Sequence, residues 1–478
     1  MTTLPACECG AAGAARNPPG RAARWAAALE RVLVPRLRFL PWIHAGMFLL
    51  FLLVVAGPLL LPPAAPQTPL WRDAAAAANF LLWGLWFPLM FLSVIGAGRA
   101  WCGLLCPMGA AAEWGNRLGP RRAIPGWLRW PGTPIVSFVV ITVLGQTVGV
   151  RDHPEAVAEI FGGTMAAAIL CGFLYGRRKR AWCRHACPIG LLLGVFSRLG
   201  AVEFAPRARL AGDEGYTERG LCPTMIDLAR KHESRHCIEC LRCVNPGAAG
   251  GVHLRLRPPG AEIAAIRDAN PNGWEVGFLF LAIGIALGGF LWLVLPQFQD
   301  WRQALGELAV DHGWDGLLRA GPSWLMSVHP DRNEVFLWLD FALILGFMLG
   351  GALLSLGLLS ALTALAALLA GRAGASGGFR RRAIELGYQF APVAMMSLLL
   401  GLGAKLFELL ALTPLGANGA ALAKAALFLA GLVWSLWLGQ RILAGQGLPP
   451  ARRVGPLLPG LLGSVVIGAA WSPAIFGG

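Results

Sequence analysis

The sequence predicts an all-α membrane protein that crosses the bilayer about nine times. Three observations predict this fold class: 56% of the 478 residues are apolar, only 14% are charged, and long stretches of the chain carry no charge at all. A soluble domain has roughly 45–50% apolar and about 25% charged residues. The composition therefore excludes an ordinary soluble domain and also a disordered chain.

Nine stretches of the sequence lack Asp, Glu, Lys and Arg and come close to the length of about 20 residues that a membrane-spanning helix needs. They cover residues 39–71, 74–98, 130–150, 160–176, 276–299, 341–371, 386–404, 425–440 and 454–478. We interpret each stretch as one spanning helix. The stretch 341–371 is long enough to contain a hairpin, which would raise the number of spans to ten.

The positive charges are distributed unevenly between the connecting segments. About 34 of the 41 lysines and arginines lie before the first helix or after the second, fourth, sixth and eighth, and about five lie on the opposite side. Because cytoplasmic loops of membrane proteins carry the excess of Lys and Arg, the N-terminus and these segments are predicted to be cytoplasmic. The same asymmetry accounts for the net charge of +15, so nucleic-acid binding is not predicted.

Two stretches of the first half are near copies of each other. Residues 99–109 read R-A-W-C-G-L-L-C-P-M-G and residues 180–190 read R-A-W-C-R-H-A-C-P-I-G. They follow the inner ends of the second and fourth helices. The first four helices are therefore predicted to form two parallel hairpins, each ending in a C-x3-C-P motif at the same face of the membrane.

The repeated motifs would bring four thiols to the cytoplasmic boundary, since cysteines at i and i+4 share one face of a helical turn. These cysteines are Cys102, Cys106, Cys183 and Cys187. Four convergent sulfurs suit an iron–sulfur cluster, Cu(I) or Zn. The alternative is that the four thiols are merely packed and bind nothing.

A second cysteine pattern lies between the fourth and fifth helices. Cys237, Cys240 and Cys243 form a C-x2-C-x2-C run, which is the core of a bacterial-type [4Fe–4S] site. The Cys-Pro that normally follows such a run is missing, because position 247 is Gly247, but Cys222 is followed by proline upstream. We predict that Cys222 and the three cysteines of the run hold one [4Fe–4S] cluster. Zinc is the main rival, since C-x2-C also occurs in zinc sites.

The cysteine spacing also indicates the compartment. Eight of the eleven cysteines lie on the predicted inner side in spacings typical of metal ligands, which argues against disulfides. The segment 21–40 on that side is rich in arginine. It has the pattern of a basic amphipathic helix on the inner membrane surface, and a solvated positive tail is the alternative.

Together the two cysteine patterns resemble those of the NapH/NosR-type membrane-bound 4Fe-4S ferredoxin family, and the CcoG-type cytochrome oxidase accessory proteins are similar in plan. The resemblance covers roughly residues 40–250. It implies a membrane iron–sulfur protein of the bacterial inner membrane. The family's paired motif falls on Cys102, Cys106, Cys183 and Cys187, and its ferredoxin motif falls on Cys237, Cys240 and Cys243.

The resemblance also implies a function. NapH- and NosR-type proteins are thought to pass quinol electrons toward periplasmic reductases, and the CcoG type is linked to copper reduction during oxidase assembly. Two departures stand out. NapH-like proteins usually carry two complete ferredoxin motifs and this chain has one, which is split, and no counterpart is recognised for its last 200 or so residues.

We therefore expect a membrane-bound electron-transfer protein that relays electrons between quinol, or a cytoplasmic donor, and a redox partner protein. The alternative is a copper-handling or copper-reducing membrane protein that aids metalloenzyme assembly. The expected cofactors are a [4Fe–4S] cluster, a second metal centre that is either iron–sulfur or copper, and a quinone. A quinol dehydrogenase component or a metal reductase would make the chain an enzyme, whereas an electron-carrier subunit needs no catalytic residues, and none are predicted. The expected partners are a periplasmic reductase or oxidase assembly factors.

The chain is accordingly divided into six predicted regions. These are a basic cytoplasmic N-terminal segment (1–39), a four-helix membrane repeat (40–200), a cytoplasmic ferredoxin-like segment (201–273), the fifth helix (274–299), a periplasmic loop (300–334) and the C-terminal helices six to nine (335–478). The protein is expected in the bacterial inner membrane with its iron–sulfur segment in the cytoplasm.

Overall fold

The computed structural model describes residues 20–61, 68–69, 72–176, 179–206, 222–245 and 252–476. Parts of four predicted regions lie outside the described residues: 1–19 of the N-terminal segment, 62–67, 70–71 and 177–178 of the membrane repeat, 207–221 and 246–251 of the ferredoxin-like segment, and 477–478 of the C-terminal helices. The described chain is predominantly helical, with two short two-stranded sheets.

The first half, up to the ferredoxin-like segment, contains ten helices. They are α1 (Arg21–Arg36), α2 (Leu40–Leu60), α3 (Ala74–Asn79), α4 (Phe87–Ala97), α5 (Pro107–Leu118), α6 (Gly126–Arg129), α7 (Thr133–Thr147), α8 (Pro154–Leu174), α9 (Ala181–His185) and α10 (Gly190–Ser197). Two further segments, Phe80–Trp86 and Trp101–Leu105, are π-helical. The first of them joins α3 and α4 into one span, Ala74–Ala97.

The second half contains the strands and nine more helices. They are β1 (Val202–Pro206), β2 (Val252–Leu256), α11 (Ala261–Ala264), α12 (Gly273–Val294), α13 (Pro296–Asp311), β3 (Val328–His329), β4 (Glu334–Val335), α14 (Trp338–Arg372), α15 (Phe379–Gly387), α16 (Ala391–Leu402), α17 (Ala404–Ala411), α18 (Gly416–Gly445) and α19 (Val454–Phe476). Strands β1 and β2 pair antiparallel, as do β3 and β4.

The helices confirm the predicted fold class. Among the described residues, eight helices are long and apolar enough to cross a membrane, and the shorter apolar α7 lies where the third span was predicted. The helix α14 runs unbroken for 35 residues, so the hairpin considered for 341–371 is wrong. Its small residues serve helix packing instead. A Cβ added at Gly284 of α12 would collide with the carbonyl oxygen of Gly351, so the two helices approach backbone to backbone.

In each hairpin of the repeat, the chain segment that follows the cysteine motif is hydrogen-bonded to the end of a helix in the other hairpin. After the first motif, the N–H of Arg122 donates to the carbonyl of Leu174 at the end of α8 (2.7 Å). After the second, the N–H of Ala201 donates to the carbonyl of Ile95 near the end of α4 (2.8 Å). Each motif is thereby held against the other hairpin, and the two motifs are drawn together.

The helix α1 packs on the ferredoxin-like segment. Its Ala26 belongs to a small apolar cluster with Phe204 and Leu254 of the β1–β2 sheet, and the N–H of Leu254 donates to the buried carboxylate of Glu30. Neither interpretation of segment 21–40 anticipated this contact. The buried face of α1 covers the sheet, and its arginines face outward.

A buried ionic network joins the iron–sulfur half to the C-terminal helices. Arg198, which is completely buried, donates to Glu275 at the start of α12 (2.9 Å) and to Glu262 (2.7 Å). The hydroxyl of Tyr388 donates to the same Glu275 (2.6 Å). The two halves therefore share one interior, which positions α12 and α16 beside the cysteine motifs.

Candidate metal centre

The four cysteines predicted to hold the [4Fe–4S] cluster line one small pocket. Cys222 comes from the segment before the C-x2-C-x2-C run, and the run supplies the other three cysteines, Cys237, Cys240 and Cys243. Apolar side chains such as Leu228 complete the walls. The structure thus brings together all four predicted ligands, including the one displaced in sequence. Their role as ligands remains a prediction.

The backbone of the run is tightly wound around this pocket. Glu239 and Leu241, on either side of Cys240, have φ angles of 50° and 61°. This left-handed conformation costs a non-glycine residue roughly 1–2 kcal/mol. Residues with such strained backbone angles persist where the surrounding structure holds them in place, and they cluster at functional sites. Here it turns successive cysteines toward the same pocket.

The electrostatics of the pocket disfavour free thiolates. Burial, and then the neighbouring thiols Cys237, Cys240 and Cys222, raise the pKa of Cys243 far above its usual range, and burial raises the pKa of Cys237 to about 12. Bound iron would supply the positive charge that four thiolates need here. The residues therefore fit a [4Fe–4S] cluster, which supplies one-electron transfer when bound.

In the part of the chain that the structure describes, no group of three His, Cys, Asp or Glu side chains is placed to hold a single metal ion. The preference for a [4Fe–4S] cluster over zinc rests on the C-x2-C-x2-C spacing and stays a prediction.

The cysteines of the C-x3-C-P motifs also converge. Burial raises the pKa of Cys187, and the thiols of Cys183, Cys106 and Cys102 raise it further, so all four lie in electrostatic contact. Gly109 connects the two motifs: its N–H donates to the Cys106 sulfur (3.4 Å), and a Cβ added there would lie 3.5 Å from the Cys183 sulfur. Cys102 itself lies on the π-helical segment, a local geometry frequent at functional sites.

The arginine that opens each motif is buried beside these thiols. The exposed fractions of Arg99 and Arg180 are 2% and 0%. Arg180 of the second motif donates to the carbonyl of Cys102 in the first (3.0 Å), and Arg99 lies against the thiols of Cys102, Cys183 and Cys187. Sequence analysis did not assign a role to these arginines, although their repetition in R-A-W-C was the available signal.

The two cysteine sets adjoin each other. Gly103, between Cys102 and Cys106, lies directly on the ferredoxin run: a Cβ added there would collide with the carbonyl oxygen of Ile238 and would lie 2.9 Å from the N of Cys240. The same turn is held from the other side by His44, whose Nε2 lies 3.3 Å from the carbonyl oxygen of Gly103.

A carboxylate bridges the two sets as well. Glu113 of α5 pairs with Arg180 of the second motif (3.0 Å) and, through both of its oxygens, with Arg242 of the ferredoxin run (2.9 Å each). Burial alone would raise the pKa of the Glu113 carboxyl, but Arg242 and Arg180 hold it at about 2. Glu113 is therefore ionised at neutral pH and fixes the ferredoxin run to the membrane repeat.

Comparison with known protein families points to the C-x3-C-P motifs. A family model described as a 4Fe-4S binding domain matches this chain twice, at residues 79–125 and 160–204. The two matches begin 81 residues apart, which is the spacing of the C-x3-C-P motifs. Each match contains one of these motifs, and neither contains the C-x2-C-x2-C run.

Several known proteins are similar to parts of this chain. The ferredoxin-type protein NapH of Haemophilus influenzae is 28% identical over 231 residues, which cover 43% of this chain and 77% of NapH. The methylamine utilization ferredoxin-type protein MauN of Methylorubrum extorquens is 27% identical over 199 residues, 38% of this chain and 64% of MauN. An uncharacterized protein of Methanocaldococcus jannaschii is 26% identical over 164 residues, 33% of this chain and 64% of that protein.

The similarity is partial on both sides. The chain spans less than two thirds of the length of MauN and of the Methanocaldococcus protein. No solved structure matches the chain. The cofactor that the family match supports is an iron–sulfur cluster. This multi-pass membrane protein matches a 4Fe-4S binding domain family at two places in its first half, and part of its length is similar to the ferredoxin-type protein NapH.

Proposed function

We propose that the protein relays electrons between quinol, or a cytoplasmic donor, and a redox partner protein. Cys222, Cys237, Cys240 and Cys243 hold a [4Fe–4S] cluster, and the C-x3-C-P cysteines hold a second centre. The observation that carries this proposal is the direct contact between the two cysteine sets at Gly103. Two redox centres held in contact by a shared bridge such as Glu113 are suited to electron transfer between them.

A membrane cavity supports quinol as the donor. It has a volume of about 170 Å³, lies between α4, α7, α8, α12 and α16, and is lined mainly by apolar and aromatic side chains. Cys187 of the second motif borders it. The amide of Gln146 on its wall accepts the indole N–H of Trp292 (3.3 Å) through Oε1, which leaves Nε2 as a donor. An apolar pocket with a few polar groups suits a quinone ring.

The cavity also gives the C-terminal helices a role in this proposal. Ala286 and Gly289 of α12, and Leu398 and Gly401 of α16, form part of its wall. Oxidation of a quinol there would release two electrons and two protons, and the electrons would leave singly through the cysteine-bound iron. The helices beyond the family match would then complete the quinol site.

Substituting Ala286 by phenylalanine is expected to fill this cavity and to slow quinol-dependent reduction of the iron–sulfur signal by at least about tenfold, because overpacking excludes the ring. The rate is followed by stopped-flow absorbance with a soluble quinol analogue. Leu293→Phe, at an exposed position on the same helix, is the matched control. If the rate of quinol-dependent reduction is unchanged in Ala286→Phe, while dithionite still reduces the iron–sulfur centre, the cavity is not the quinol site.

The proposal also includes the orientation of the protein in the membrane and its partner proteins. The arginine distribution supports an N-terminus and an iron–sulfur segment in the cytoplasm, with the loop 300–334 on the periplasmic side. We propose a periplasmic reductase or oxidase assembly factors as the partners, and the division into six regions remains a prediction.

A copper-handling function is the second candidate, and the convergence of four soft thiols in the C-x3-C-P motifs favours it. Metal analysis of the Cys102→Ser/Cys183→Ser double variant separates the two functions. We expect the variant to lose about four iron and four sulfide per chain, which a second [4Fe–4S] cluster requires. Loss of about one copper with unchanged iron would favour copper handling. The variant Cys171→Ser alters a cysteine that packs beside Cys183 but belongs to neither motif, and it should lose neither metal.

A further inference from the structure

Four arginines surround a cavity at the charged face of the membrane repeat. The cavity has a volume of about 220 Å³ and lies between the starts of α7 and α12, the second cysteine motif and the ferredoxin run. Its arginines are Arg99, Arg129, Arg184 and Arg235. This arginine cavity is bordered by a single carboxylate, Glu275.

That carboxylate does not neutralise the cavity. Glu275 already pairs with Arg198 (2.9 Å) and with Arg235 (2.6 Å). Among the described residues, the buried Nε atoms of Arg99 and Arg235 lack a hydrogen-bond partner. Arg184 donates to the carbonyl of Thr224 (2.6 Å), a neutral group. Arg235 also pairs with Glu233 (3.0 Å), and Arg99 lies against the thiol of Cys102. Within the described ranges, Arg129 and Arg184 form no salt bridge with a carboxylate, so they supply the positive charge of the cavity.

The charge of the arginine cavity indicates the class of ligand. An anion there would offset the repulsion between the guanidinium groups, and arginine is the side chain that best matches a phosphate group.

The mouth of the cavity lies at the ends of two spanning helices. Trp130 precedes α7 and Trp274 opens α12, and their rings pack edge to face with centroids 5.8 Å apart. Both are about half exposed, at 49% and 46%. Tryptophans at the ends of spanning helices are typical of the membrane–water interface. Basic pockets between spanning helices at that depth bind lipid headgroups.

We propose that the arginine cavity binds a phosphate-bearing anion, such as the headgroup of an anionic phospholipid, beside the second cysteine motif. Cys183 borders the same cavity, so the bound phosphate would lie next to the C-x3-C-P thiols. The site is separate from the apolar cavity bordered by Cys187, and it does not depend on quinol as the donor.

The test uses the full chain, purified in a neutral detergent and stripped of lipid. Phosphatidylglycerol, phosphatidylcholine and inorganic phosphate are titrated separately, with the melting temperature and the lipid retained in native mass spectrometry as readouts. We expect saturable stabilisation and retention with phosphatidylglycerol and neither with phosphatidylcholine. Competition by inorganic phosphate would also support a phosphate site, with the free ion as a second source.

Substitution assigns the binding to the cavity. Arg129→Gln, at an exposed rim position, should weaken the binding of phosphatidylglycerol about fivefold, and the Arg129→Gln/Arg184→Gln double variant should weaken it further. Arg380→Gln, an exposed arginine outside the cavity, is the control and should bind like the unmodified protein. Circular dichroism and iron content verify that each variant is folded. Equal binding of the two lipids, no binding of any anion, or unchanged binding in both cavity variants would overturn the proposal.

Discussion

Substituting Cys240 by serine is expected to abolish the EPR signal of the reduced [4Fe–4S] cluster and to remove about four iron and four sulfide per chain. Cys240 is the central cysteine of the run and lies between Glu239 and Leu241, whose left-handed backbone holds it at the wall of the pocket. The variant should also be unable to transfer electrons from quinol to an acceptor. The measurement is EPR of protein purified without oxygen and reduced with dithionite.

The matched control is Cys171→Ser. Cys171 lies within α8, outside both cysteine sets, and its substitution should leave the signal and the iron content unchanged. A Cys240→Ser protein that is folded and retains the full signal would show that the predicted pocket does not hold the cluster. Loss of the signal in both variants would indicate general damage rather than loss of a ligand.

Replacing Glu113 by glutamine is expected to lower the free energy of unfolding by about 3–5 kcal/mol, because removing one partner of a buried ion pair leaves the other charge uncompensated. The Arg180 side chain is 0% exposed and would lose its carboxylate, and Arg242 would lose one of its two hydrogen bonds because the amide nitrogen of glutamine cannot accept. Unfolding in detergent, followed by circular dichroism, measures the loss. Glu307→Gln, at an exposed position of α13, should change stability by less than about 0.5 kcal/mol.

The stability difference between the unmodified protein and Glu113→Gln is expected to depend on pH in one direction. The folded-state pKa of Glu113, about 2, lies below its ordinary value of 4.5, so the stability that its ionised form provides is fully present above pH 4.5. That stability is lost as the pH falls from 4.5 toward 2. The difference between the unmodified protein and Glu113→Gln should therefore be constant near neutral pH and should shrink in acid. A difference that grows in acid would contradict the bridge.

The spanning helices were predictable because their signal is local. Uncharged stretches of about 20 residues can satisfy their backbone in a bilayer only as helices, and each predicted stretch corresponds to one. The possible hairpin at 341–371 could not be decided locally. Its glycines allow either a turn or close helix packing, and the contact between Gly284 and Gly351 is a property of the folded pair α12 and α14.

The spacing of the cysteines predicted which of them the structure brings together, but not how the two sets lie relative to each other. Spacing identified both sets, and the repeat suggested that the motifs meet. The contact of Gly103 with Cys240, and the bridge from Glu113 to Arg180 and Arg242, join residues far apart in sequence. These contacts depend on the hydrogen bonds by which the segment after each motif is held against the other hairpin. No local sequence pattern encodes those bonds.

The apolar cavity and the arginine cavity escaped sequence analysis for the same reason. Each is assembled from helices of both halves, as the presence of α12 in both walls illustrates. Single residues such as Gln146 or Arg129 carry no sign of a ligand by themselves. Only their convergence around an empty volume gives them a role.

The most direct test of the account is the quantification of iron, acid-labile sulfide, zinc and copper on the full chain, purified without oxygen and shown to be folded. We predict at least about four iron and four sulfide per chain, reducible by one electron per cluster, and about twice these amounts if the C-x3-C-P cysteines hold a second cluster. A folded protein that contains only zinc, or no metal, and still transfers electrons from quinol would contradict the account.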